Sequence, residues 1–108
     1  MANNLIHMYG KLSEAVTILV TNPNKVKERL WVASDFLFML DPESVPESCR
    51  EDVKWVHKML TRYPAKWPYK TALEATYHRT RNSTAQKIAQ RVWTLYHVMH
   101  TEVDGLLA

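Results

Sequence analysis

Histidines, cysteines and carboxylates are the side chains that catalysis and metal binding draw on, so their spacing decides first what chemistry is open to the chain. There are five histidines and one cysteine in 108 residues. His97 and His100 are three apart, a spacing that lets both face one ion from a helix. A third ligand would have to come from His78 or Glu102, and no His-Glu-x-x-His pattern supplies one. Histidines at the surface or near a helix C-terminus, where the helix dipole favours them, explain the pair more simply. The single cysteine, Cys49, excludes an intrachain disulfide and a multi-cysteine zinc site and suits a reducing compartment. Cys49 and His57 fall more than two turns apart on one predicted helix, too far for a nucleophile to reach its base. Cys49 reads as a small, partly buried residue near a helix start. Glu47, Glu51 and Asp52 read as acids of a first helical turn rather than a catalytic pair. Only two glycines are present, too few for a phosphate-cradling loop. The expectation is a protein that is not an enzyme, with no catalytic residue, no metal and no cofactor.

Binding chemistry is better represented. Residues 63–70 read Tyr-Pro-Ala-Lys-Trp-Pro-Tyr-Lys, an aromatic stretch stiffened by two prolines. An X–Pro bond exchanges its isomers slowly, so an exposed Trp67-Pro68 is a fitting target for a prolyl isomerase. It also suits anchoring in a partner's groove, because tryptophan and tyrosine dominate binding hot spots. The competing reading folds Trp67 back to close the core beneath the loop. The candidate contact set is Tyr63, Pro64, Lys66, Trp67, Pro68 and Tyr69, with Arg79, Arg81, Lys87 and Arg91 steering an acidic partner surface.

Charge distribution supports a basic face. Residues 1–60 hold seven Lys/Arg against eight Asp/Glu, whereas residues 61–108 hold seven against three. Lys66, Lys70, Arg79, Arg81, Lys87 and Arg91 interleave with Trp67, Tyr69, Tyr77 and Trp93, the mixture that phosphate contact and base stacking need. A small basic DNA-binding protein using the Lys/Arg of residues 66–91 is therefore the alternative function. A third possibility is self-association through Trp31 and Trp93. Phe38, Tyr96 and His100 are further bulk beside the core stripes that another protein could cover.

The elements that must position these residues are helical. Leu5, Met8, Leu12, Val16 and Leu19 recur at helical steps, with Asn3 or Asn4 as cap. Asn22 and Pro23 suit the start of a second helix, whose stripe is Val26, Leu30, Ala33, Leu37 and Leu40 and which Asp41-Pro42 ends. Its apolar residues reach most sides, so it is expected to be central. Ser44-x-x-Glu47 and Ser48-x-x-Glu51 are two capping-box spacings, either of which could open a third helix with Val53, Val56, Leu60 and Tyr63 buried; Pro64 stops it. A loop covers 63–70 and a short helix 71–80. Ser83-x-x-Gln86 is a third capping box, opening a final helix with Ala85, Ile88, Val92, Leu95 and Met99 inside. Asp104-Gly105 ends that helix and leaves a flexible tail over 104–108. The predicted fold is all-α: a small single-domain helical bundle over residues 1–108, with four main helices, a short helix and a proline-rich loop.

Composition fits this. Hydrophobic residues make up 46% and charged residues 23%, the balance of an ordinary globular domain. The strongest apolar run, Phe36 to Leu40, is far short of a membrane span. The opening MANNLIHMYG lacks the charged start and apolar run of a signal peptide. A secreted scaffold, a membrane protein and a nucleotide-loop enzyme are all disfavoured.

A small, basic, all-helical chain with a Trp-Pro loop resembles the anti-RecBCD proteins of lambdoid bacteriophages, more closely the second anti-RecBCD proteins of the P22-type phages. The resemblance centres on Tyr63 to Lys70, with Trp67-Pro68 in the middle, and the stretch from Thr101 to Ala108 falls outside it. It implies a viral protein of the host cytoplasm that binds the host RecBCD helicase–nuclease through its RecC subunit, protecting phage DNA ends and favouring phage recombination. It also implies a host prolyl isomerase as second partner at Trp67-Pro68, contact with DNA only indirectly, and no membrane.

Overall fold

The structure, a computed structural model, describes residues 2–107, with side chains from Asn4 to Leu107. Five helices form, α1 (Ala2–Thr21), α2 (Val26–Phe38), α3 (Glu47–Leu60), α4 (Ala72–Arg79) and α5 (Asn82–Leu107), and no strand is found among the described residues. Helices α1, α2, α3 and α5 pack on one another, α5 against each of the other three, while α4 rests on α3. The domain is an elongated slab of 49 × 28 × 17 Å.

The helical steps in the sequence become the core. Met8, Leu12 and Val16 of α1, Leu30, Ala33 and Leu37 of α2, Cys49, Val53, Val56 and Leu60 of α3, and Ala85, Ile88, Val92, Leu95 and Met99 of α5 share one buried cluster. Leu5 and Leu19 pack at its margin, half-buried. Helix α2 packs on α1, α3 and α5, and α5 packs on α1, α2 and α3, so the two share the centre of the bundle. Part of the apolar bulk of α2 also points outward, with Val32 50% and Phe38 37% exposed.

The boundaries depart from the sequence reading at several points, each for a local reason. Asn3 and Asn4 lie inside α1 rather than capping it; the Asn3 side chain is outside the described part. Asn22 does not cap α2, because its carboxamide oxygen accepts the Asn24 amide at 2.9 Å and closes an Asx turn. The helix begins only at Val26, behind an extended Lys25 that makes no side-chain cap. At its other end α2 stops at Phe38, and Met39 and Leu40 tighten into bonds to the carbonyls of Phe36 and Leu37. Leu40 is still buried although it follows the helix. None of the three serine capping boxes forms. The Ser44 hydroxyl donates to Asp41 Oδ2 at 3.1 Å, Pro46 stands at the cap position of α3, and Ser48 and Ser83 lie inside α3 and α5.

Helix α3 ends at Leu60, four residues before Pro64, so Tyr63 belongs to the loop and is half-buried. The expected tail at 104–107 is helix instead: α5 runs through Gly105 to Leu107. A glycine in an exposed helix costs only about 1 kcal/mol relative to alanine, and Val103, 6% exposed, holds that turn onto the body. Ala108, the last residue of that expected tail, lies outside the described residues.

Two polar side chains are fully enclosed. Ser34 is satisfied by donating to Trp31 O at 2.6 Å; Thr76, 1% exposed, organises the loop described below. Cys49 is fully buried at the start of α3, and burial pushes its thiol above the ordinary range.

Leu95 and Leu37 are both 0% exposed. Replacing either with alanine should cost about 2–5 kcal/mol, read as a lower midpoint in urea unfolding. Cys49 should resist a thiol-modifying reagent in the native protein at neutral pH and react at the rate of a free thiol once the chain is unfolded. Rapid native labelling would contradict the enclosure.

Candidate partner-binding site

Helix α4 and the chain leading into it form one corner of the slab. Thr71 caps its start, with Glu74 three residues on. The Thr71 hydroxyl oxygen accepts the Glu74 amide at 3.0 Å, and the Glu74 carboxylate reaches back to accept the Lys70 amide at 3.3 Å. Trp31 of α2 ties α4 to the body: its indole Nε1 donates to Leu73 O at 3.1 Å, and its ring meets Tyr77 edge-on at 5.3 Å. Lys27 sits over the ring of that tyrosine, 4.5 Å from its centre. Trp31 is thus a strut rather than free surface.

The loop is fixed from both ends. Thr76 Oγ1 accepts the Tyr63 amide at 2.9 Å and lies 3.4 Å from Tyr63 O. At the far end the Tyr69 ring stacks on His78, centroids 4.6 Å apart and planes 18° from parallel. Between these anchors the Tyr69 amide donates to Lys66 O at 2.7 Å, closing a turn about Trp67 and Pro68; the Trp67-Pro68 bond is cis. Trp67 is 91% exposed. It does not fold back over the core, contrary to the competing sequence reading. Pro64, Lys66 and Pro68 are exposed around it.

The ten candidate contact residues divide into two groups. Arg79 lies over the Tyr63 ring at 4.1 Å, with Arg62 near the same ring at 5.6 Å. Arg79 and Arg81 share a cleft with Tyr63 and so adjoin the loop. Lys87 and Arg91 line a different cleft with Trp55, Gln90 and Thr94. There Arg91 is engaged within the chain, 2.9 Å from Asp52 and 4.5 Å over Trp55. Asp52, read as a first-turn acid, therefore bridges α3 to α5. The sequence reading did not single out Arg62, Thr76 or Trp55 for this region. The Thr71-x-x-Glu74 spacing was the available signal for how α4 is set; nothing in the sequence marks Thr76 as the loop's anchor.

The histidines find other work. His57 Nε2 donates to Leu37 O at 2.7 Å, securing the last turn of α2. His78 lies against Tyr69 and Tyr77. His97 meets Trp93 edge-on, and His100 lies 2.7 Å from the Tyr9 hydroxyl and 3.4 Å from Asp104. Tyr9 also donates to Tyr96 at 3.1 Å, a bond that raises its own hydroxyl's pKa, with partial burial adding to the effect. Among the described residues no group of three or more His, Cys, Asp or Glu could hold a metal ion. No helix among them is long and apolar enough to cross a membrane. Comparison of the chain with models of known protein families, with curated proteins and with solved structures finds no match in any of the three.

Thr76→Val should leave the Tyr63 amide without its acceptor, a loss of about 1–3 kcal/mol. It should appear as faster hydrogen exchange at Tyr63 and Tyr69, with exchange along α5 unchanged. Equal protection in the variant would show that Thr76 does not hold the loop.

Proposed function

We propose that this protein acts by gripping a macromolecular partner with the Trp67 corner and carries out no bond-making chemistry of its own. The observation that supports this reading most is the exposure of Trp67, 91%, at the tip of a loop pinned on both sides. Trp67 is the most exposed large apolar side chain among the described residues, and a ring left so fully in water is poorly explained by folding alone. Because the loop is anchored at Tyr63 and Tyr69, little conformational freedom would be lost on docking, which favours affinity. Arg79 and Arg81 beside it would steer an acidic partner surface.

The partner follows from the resemblance to lambdoid anti-RecBCD proteins: the RecC subunit of the host RecBCD helicase–nuclease, engaged in the host cytoplasm so that phage DNA ends are spared and used for recombination. A host prolyl isomerase acting at Trp67-Pro68 is the second proposed partner. On this reading DNA is affected only through the enzyme.

Purified chain should bind purified RecBCD and alter its degradation of linear DNA. Trp67→Ala should weaken binding by about 2–4 kcal/mol, the range of an aromatic hot spot, with unchanged circular dichroism. Undiminished binding by the variant would remove the corner from the interface. Absence of any RecBCD binding, together with DNA affinity that falls steeply as salt rises, would favour the DNA-binding alternative.

A further inference from the structure

Three arginines converge where the end of α3, the end of α4 and the start of α5 meet. Arg62, Arg79 and Arg81 line a cavity of about 290 Å³ with Met59, Tyr63, Thr80 and Thr84. No acidic residue is in that lining. Among the described residues, none of the three guanidinium groups makes an ion pair or a hydrogen bond, whereas Arg91 has Asp52 and Arg50 has Pro42 O. Two of the three, Arg62 and Arg79, are held against one tyrosine ring. Their forks therefore have most of their donors free, and their mutual repulsion is unrelieved by any counter-charge in the cleft.

We propose that this cleft is a binding site for a phosphate group. Three positive charges match a dianion better than a single carboxylate, and phosphate near neutral pH carries between one and two negative charges. Planar guanidinium forks fit its oxygens in pairs of parallel hydrogen bonds. The Thr84 hydroxyl adds a neutral donor, and the cleft opens at the first turn of α5, whose amides and dipole also favour an anion. The cavity holds several times the roughly 30 Å³ share of one water molecule, so a tetrahedral oxyanion enters with part of its hydration. The phosphate can come from two sources, a free small phosphate or the 5′ terminal phosphate of a nucleic acid strand. The cleft shares Tyr63, Arg79 and Arg81 with the proposed partner corner, but the phosphate assignment uses neither Trp67 nor the protein-partner reading.

The test is a titration of the full chain, labelled with nitrogen-15, with inorganic phosphate at ionic strength held constant by chloride. Saturable amide shifts confined to Arg62, Tyr63 and residues 79–84 are expected. Arg79→Gln with Arg81→Gln should weaken phosphate at least about tenfold, since each charge-assisted bond contributes more than a neutral one. Arg79→Lys, which keeps the charge and loses the fork, should lie between. Trp67→Ala should bind phosphate as the unaltered chain does. A short oligonucleotide with a 5′ phosphate that binds more tightly than its 5′-hydroxyl twin identifies a strand end as the source. Equal binding of the two, with inorganic phosphate still saturating, identifies a small phosphate. Shifts that never saturate, that chloride reproduces, or that survive the double glutamine variant in a folded chain would overturn the proposal.

Discussion

One apolar stripe carries the fold. Ala85, Ile88, Val92, Leu95 and Met99 are each 0% exposed along α5, and α1, α2 and α3 all pack against that helix. With its single cysteine free and buried, the domain relies on removing such surfaces from water, a driving force proportional to apolar area and indifferent to direction. Direction comes from interlocking shapes and from a few polar contacts between helices. The Arg91–Asp52 pair joins α5 to α3, and His57 joins α3 to the end of α2. Remove the stripe and these contacts have nothing to align.

The corner is built on the opposite principle. Helix α4 is eight residues long, too short to persist alone in water, and only Ala75 and Thr76 of it are buried. Directional bonds hold it: the Trp31 indole on Leu73, the Thr71 cap, and the Thr76 hydroxyl on Tyr63. Such bonds fix a geometry without enclosing the side chains they position. That is why the body can keep Trp67 and three arginines outside while still placing them.

How much of this was legible in the sequence depends on which force sets each feature. The helix faces were readable because burial imposes a repeat of three and four residues, and Leu12, Leu30, Val53, Ile88 and Leu95 all lie where that repeat puts them. The helix ends were less so. Asn22, Ser44 and Ser83 each had a capping residue's chemistry, yet Asn22 and Ser44 spend their oxygens on turn contacts and Ser83 falls inside α5. Spacing cannot say which of two local hydrogen bonds wins. Gly105 was misread for a related reason: glycine permits a helix end without requiring one. The aromatic and proline content of the loop was plain, but its attachment was not. Thr76 binds Tyr63 across thirteen positions, and Arg62 meets Arg79 and Arg81 only because the ends of α3 and α4 and the start of α5 come together in space.

Helix α5 has a mechanical consequence. At 1.5 Å per residue its 26 residues form a rod of about 39 Å, most of the 49 Å length of the slab. Its first turn borders the arginine cleft, and its second half carries the Tyr96 and His100 rings that clasp Tyr9 of α1. Because one unbroken spine joins the two ends, whatever takes hold of the first also aims the second: the chain would act as a pointer, setting the bearing of its distant tip by how its near end is seated.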